Sequence, residues 1–227
     1  MADFLGIKND LSARGRPLYE KYRPRAWGDV IGQDKALAKL AEIAPRLSGN
    51  AYWISGPSGT GKTTIAKLLA AEIADDFFVL EYDAAEFGVD TFRETVDSFQ
   101  LTAWGKGGRV CVVNEAHRLR KDVITRLLEA LEKIPSHCAW IFTTTNAGQQ
   151  DFLDGQLDAN PLLSRCVEIP MQQRNLCQQF AARAQTIALA EGLDGRPLAQ
   201  YVKLVQEHRN NFRRVLQDIS SGRMKKE

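Results

Sequence analysis

The sequence predicts an α/β fold: a parallel sheet covered by helices, followed by a small all-helical unit. Three observations carry that expectation. Short apolar runs alternate with helical stretches through most of the 227 residues, as when crossover helices join parallel strands. The first of these runs breaks into a glycine-rich loop that opens directly into a helix. Beyond Met171 the strand signals stop, and only helical periodicity continues.

Taken in order, a polar N-terminal segment leads to a helix over residues 34–47. Residues 52–55, an apolar run ending in Ser55, read as a buried strand. A helix over 63–74, a strand over 77–82 and a helix over 90–101 follow. The strand over 109–114 contains Val110-Cys111-Val112-Val113. The helix over 121–134 repeats Val123, Ile124, Leu127, Leu128 and Leu131 three and four apart, which gives one buried stripe. Strands over 139–144 and 167–170 complete the sheet. Helices over 174–191, 197–208 and 211–221 follow, broken by Gly192, Gly195 and Pro197. The expected division is an α/β core of residues 1–172 and a helical lid of 173–227, with the boundary near 172–175.

Composition bounds the classes of function. With 44% hydrophobic and 26% charged residues the chain has enough apolar material for a core and enough charge for a solvated surface. A net charge of +2 neither requires nor excludes nucleic acid. No apolar run approaches a membrane span, so no membrane partner is expected. Asp3 and Asp10 argue against a transit peptide. Cys111, Cys138, Cys166 and Cys177 are widely spaced with no C-x-x-C pair, which disfavours zinc and suits thiols in a reducing cytoplasm.

The chemistry starts at Gly56-Pro57-Ser58-Gly59-Thr60-Gly61-Lys62-Thr63, a complete P-loop between a strand and a helix that continues from Thr64. Its glycines let backbone N–H groups wrap a polyphosphate beside a helix N-terminus. Lys62 brings positive charge to the β- and γ-phosphates, and the Thr63 hydroxyl can serve Mg²⁺. The expected ligands are therefore a nucleoside triphosphate and Mg²⁺.

At the end of the strand over 109–114 stands Asn114-Glu115-Ala116-His117. P-loop hydrolases carry an acidic pair here, the first member on the metal side and the second polarising water. Glu115 fits the general base. Asn114 departs from the pattern: it keeps an oxygen on the metal side but removes one negative charge. The next strand ends in Thr143-Thr144-Thr145-Asn146, where Asn146, or alternatively Thr145, could sense the γ-phosphate. Arg165 follows in Pro161-Leu162-Leu163-Ser164-Arg165-Cys166.

In this order the pieces resemble the AAA+ ATPases, and within them the clamp-loader (replication factor C-like) subunits, from about residue 17 to 219. Tyr19-Glu20-Lys21-Tyr22-Arg23-Pro24 and Val30-Ile31-Gly32-Gln33 are similar to the family's adenine-side segment, which implies Tyr22, Arg23, Pro24, Val30 and Ile31 around the base, within an N-terminal segment 1–33. Ser164-Arg165-Cys166 resembles the motif supplying a trans-acting arginine finger. Asn211-Phe212-Arg213-Arg214 resembles the lid motif whose sensor-2 arginine is here Arg213. In the family a collar domain follows, whereas eight residues follow Ile219 here. Residues 149–160 add local length.

The resemblance implies ATP between core and lid, an ATPase weak alone, and neighbouring clamp-loader subunits that complete the site. It also implies a sliding clamp and primer–template DNA as partners at the replication fork. Lys106, Arg118, Arg120 and Lys121 could face DNA or be solvated loop charges. Val96, Phe99, Leu101 and Trp104 could include a clamp-docking patch or be core. Two other functions stay open: a Holliday-junction or remodelling motor, and a non-hydrolysing ATP-binding assembly subunit.

Overall fold

The computed structural model describes residues 15–155, 159–173 and 175–225. Residues 1–14 of the N-terminal segment, Arg174 at the expected lid boundary, and 156–158 within the added length lie outside them. In chain order the elements are α1 (Leu18–Lys21), α2 (Asp34–Ile43), β1 (Asn50–Ser55), α3 (Lys62–Ile73), β2 (Val79–Asp83), α4 (Val89–Phe99), β3 (Arg109–Asn114), α5 (Lys121–Leu131), β4 (Cys138–Thr144), α6 (Asn146–Gly155), α7 (Ala159–Ser164), β5 (Val167–Pro170), α8 (Cys177–Ala190), α9 (Leu198–Glu207) and α10 (Phe212–Ser220).

The chain forms two compact units. The first comprises Met1–Pro24 with Cys177–Glu227, and the second is Arg25–Leu176. The second holds a five-stranded sheet, order β2-β3-β4-β1-β5, with every pairing parallel. Period-two alternation sends successive strand residues to opposite faces. Tyr52, Ile54, Val110 and Val112 pack with Ile65, Ala66 and Leu69 of α3. Trp53, Cys111, Val113, Trp140 and Phe142 pack on the other face with residues of α4 and α5. The Trp140 and Phe142 rings stack there at 6.1 Å. Burying one such aromatic contributes about 1.5–3 kcal/mol. All four cysteines are free, and burial pushes the Cys166 thiol up to about 12 and Cys138 to about 11.

In the helical unit α8, α9 and α10 share a core of Phe180, Ala184, Ile187, Tyr201, Leu204, Val215 and Ile219, all buried. Asn211 caps α10, its side-chain oxygen accepting from Arg214 N at 3.2 Å.

Three expectations need correction. The N-terminal segment is not wholly part of the core. Leu18 is buried within the helical unit, and Lys21 and the Tyr22 hydroxyl both donate to Glu191 of that unit. The division therefore falls at Pro24 and again between Leu176 and Cys177. Residues that read as added length form helices α6 and α7, where Trp53 stacks on Phe152 at 5.7 Å. Finally, the helix expected over 34–47 ends at Ile43, and residues 44–46 tighten into a 3-10 turn at Pro45.

Candidate nucleotide site

The P-loop leaves the C-terminal end of β1, whose Tyr52, Trp53 and Ile54 are fully buried and anchor it. Gly56 must be glycine: a Cβ there would stand 2.6 Å from Met171 Cβ and 3.0 Å from Met171 O. Gly61 closes the loop at φ +98°, a left-handed conformation, and caps α3. Lys62 opens α3, is 8% exposed, and donates from Nζ to the carbonyls of Gly56 (2.9 Å) and Pro57 (3.0 Å). Thr60 Oγ1 donates to Pro57 O at 2.8 Å. Pro57, Gly59, Thr63 and Thr64 are half-buried and Ser58 is exposed. The first-turn N–H groups of a helix have no intrahelical acceptor, so this helix end favours anionic oxygen.

Gln33 locks the loop to the strand beside it. Its buried amide donates to Thr60 O (3.3 Å) and Gln172 O (2.9 Å) and accepts from Gln172 N (2.9 Å). The Gly-Gln pair was visible in the sequence, but a buried amide with three partners was not.

Across β4, the ends of β1 and β3 come under one polar cluster. Gly56 N donates to Thr144 O at 3.3 Å. Thr143 Oγ1 donates to Asn114 Oδ1 at 3.0 Å, and Asn114 Nδ2 donates to Glu81 Oε1 at 2.9 Å. Glu81 Oε2 also pairs with Lys67 of α3 at 3.0 Å. The Asn114 side chain is thus fixed, its oxygen toward β4 with one lone pair left. Glu115 is half-buried with φ 54° and ψ 44°. That left-handed backbone costs a non-glycine residue about 1–2 kcal/mol. Glu81 and His117, both in this cluster, were not singled out from sequence. Each owes its place to pairing between strands or elements distant in the chain.

The donors suit Mg²⁺ in kind. Thr63 offers a hydroxyl, Asn114 a neutral oxygen able to hold a metal-bound water, and Glu81, Asp83 and Glu115 supply carboxylates at these strand ends. Among the described residues no group of three or more His, Cys, Asp or Glu side chains could hold a metal by itself.

Other expected residues fall elsewhere. Asn146 is exposed and opens α6 rather than ending a strand, because β4 stops at Thr144 and Thr145 Oγ1 accepts from Gly148 N to start the helix. Tyr22, Arg23 and Pro24 belong to the helical unit, Val30 and Ile31 to the sheet unit. Burial, then the hydrogen bond to Glu191, raises the Tyr22 pKa. Arg213 is exposed on α10, its guanidinium 5.3 Å from the Tyr19 ring centre. Arg165 follows α7, donating to Pro161 O (2.9 Å) and to Glu132. That contact holds the Glu132 carboxyl below its ordinary range.

Of the four basic loop residues, Lys106 donates to Ala71 O, while Arg118 and Arg120 have Asp83 and Asp122 at 3.5 and 3.6 Å. Lys121 is exposed. Phe99 is buried and Val96 packs on the core, but Leu101 and Trp104 are exposed, Trp104 at 84%.

A parallel sheet with a P-loop between β1 and α3 defines a P-loop nucleotide-binding fold. Residues 52–169 match the model of the ATPase family associated with various cellular activities (AAA). The chain belongs to that family, a family of ATPases.

It is 30% identical over 200 residues to the DNA polymerase III subunit tau of Bacillus subtilis, covering 78% of this chain and 34% of that protein. It is 30% identical over 187 residues to the Replication factor C small subunit 1 of Pyrobaculum arsenaticum, covering 78% and 53%. The chain thus spans about a third to a half of these relatives. Among solved structures it resembles the Thermotoga maritima RuvB Holliday junction branch migration motor, with TM-score 0.69, 21% identity and coverage of 88% and 64%. That likeness shows the fold alone.

Among the described residues no helix is long and apolar enough to cross a membrane.

Proposed function

We propose that this chain is an ATP-hydrolysing subunit of a clamp-loader assembly, working in the cytoplasm at the replication fork with a sliding clamp and primer–template DNA. The position of Arg165 carries it. Val167 pairs with Tyr52 near the start of β1, and Arg165 lies two residues earlier still. The P-loop leaves β1 at the far end, after Ser55. From Tyr52 to Gly56 the strand rises about 13 Å. An arginine at that end of the sheet lies far from its own P-loop and suits the phosphates of a neighbouring copy or subunit.

In this scheme Lys62 leaves the Gly56 and Pro57 carbonyls for the β- and γ-phosphates of ATP, and the loop N–H groups hold the phosphate oxygens. Thr63 and Asn114 would hold Mg²⁺, which when bound supplies Lewis-acid polarisation of those oxygens. Glu115 orients and deprotonates the attacking water, and a neighbour's arginine stabilises the charge that develops. Such a finger is worth about 10³–10⁵ in rate, so the isolated chain should turn over slowly. Exposed Phe77, Leu101 and Trp104 border the loops at the opposite end of β2 and β3, which supports a protein partner there.

The neutral amide of Asn114 favours one competing reading, a subunit that binds ATP without hydrolysing it. Steady-state hydrolysis with and without primed DNA, clamp and partner subunits separates them. Stimulation by clamp plus primed DNA, abolished by Glu115→Gln and by Arg165→Ala, is expected. ATP binding without turnover in every mixture overturns the proposal in favour of that reading.

A further inference from the structure

His117 lies in the 3-10 turn Ala116–Arg118, immediately beyond Glu115, with its ring against the end of β4. Its Nδ1 is 3.0 Å from Thr144 Oγ1 and 3.5 Å from Glu115 Oε2. The Thr144 hydroxyl donates its own proton to Thr145 O at 3.2 Å. Its oxygen therefore meets His117 as an acceptor, which requires the hydrogen on Nδ1. A single N–H thus stands between two acceptors, a hydroxyl oxygen and the carboxylate assigned as base.

The ring has little room to leave. A Cβ added at Gly148 of α6 would stand 2.5 Å from His117 Cγ and Nδ1. Gly148 is itself buried, and its N–H is committed to Thr145 Oγ1 at 3.1 Å. So α6 is seated on the end of β4 and presses on the imidazole at a position where it lacks a side chain. Close approach to His117 accounts for a glycine in the first turn of α6.

We infer that His117 is a positioning residue for the Glu115 carboxylate, seated by α6 through Gly148. Held by Thr144 within 3.5 Å of Oε2, the Nδ1–H keeps that oxygen beside β4 and leaves the second carboxylate oxygen to the attacking water. The left-handed backbone at Glu115 restricts the directions its side chain can take, so one neighbouring donor has a large say in its aim. This role rests on Glu115 being the base.

The test uses the assembled, hydrolysing complex and reads single-turnover rate and ATP affinity separately, with Glu115→Gln as reference. His117→Ala and Gly148→Ala should each slow the single turnover, by up to about 10²-fold for a misplaced group, with ATP affinity within about twofold of the unaltered chain. His117→Asn, which keeps a donor near the place of Nδ1, should recover most of the rate. With Glu115→Gln inactive, a His117→Ala complex at full speed overturns the inference, as does His117→Asn failing like alanine. So does loss of rate in step with ATP affinity and melting temperature, which would mark His117 as merely structural. A Glu115→Gln complex at full speed removes the base assignment itself, and this role with it.

Discussion

Asn114 donates its amide to the Glu81 carboxylate at 2.9 Å, so the departure from an acidic pair is built into the sheet. An aspartate in its place would set two carboxylates within hydrogen-bond distance, with Lys67 already paired to Glu81. Asn114→Asp should lower stability by about 1 kcal/mol, a cost that Glu81→Gln relieves in the double variant. It should also strengthen the Mg²⁺ dependence of ATP binding. Thermal unfolding and nucleotide titrations at several Mg²⁺ concentrations check both outcomes. Equal stability of Asn114→Asp and the double variant would contradict the repulsion.

Gly56→Ala should destabilise the sheet unit by about 2 kcal/mol or more, since overpacking at a rigid contact forces the backbone to shift. The obstruction is Met171 Cβ, carbonyl and Cα, at 2.6, 3.0 and 3.3 Å, none of which a flexible side chain can withdraw. Met171→Ala should therefore fail to rescue it. Denaturant unfolding of the single and double variants measures this, and a rescued double variant would refute the clash.

Arg165 and Glu115 should complement each other across subunits. An Arg165→Ala chain keeps its P-loop and base, and a Glu115→Gln chain keeps its finger. Mixed in one assembly where copies adjoin, they should regain hydrolysis that neither supports alone. Mixtures no more active than the separate variants would count against a finger acting in trans.

The helical unit should weaken in acid. Burial works against the Glu191 carboxylate, but hydrogen bonds from Lys21 and Tyr22 outweigh it and hold its pKa below the ordinary 4.5. Asp218 is half-buried, which works against its carboxylate, yet hydrogen bonds to His208 and Arg223 hold its pKa below 3.8. A lowered folded-state pKa means that the unfolded chain binds more protons. The stabilisation is therefore complete above the ordinary values and lost as pH falls through the lowered ones. Unfolding free energy between about pH 3 and pH 6 should rise with pH, and Glu191→Gln with Asp218→Asn should flatten the slope. An unchanged slope would show that other groups dominate.

Local pattern was enough to find all five strands, the P-loop and the three C-terminal helices. Apolar runs, glycines and helical periodicity are properties of neighbours in the chain, and their free energies follow from local sequence. Helices α6 and α7 were not read from the sequence, where residues 149–160 stood only as added length; their order comes from burying Phe152 and Leu162 against the sheet.

By itself, then, the sequence determined a parallel α/β fold with a phosphate-binding loop and an order of motifs that belongs to the AAA ATPases. Tertiary structure alone decided the rest. It assigned Tyr22 to the helical unit, turned the Asn114 amide toward Glu81, wedged His117 between Thr144 and Glu115, and tied Gln33 to Gln172. Each depends on which distant segments pair and how close their backbones come. A buried polar group finds its partners only once the chain has closed around it.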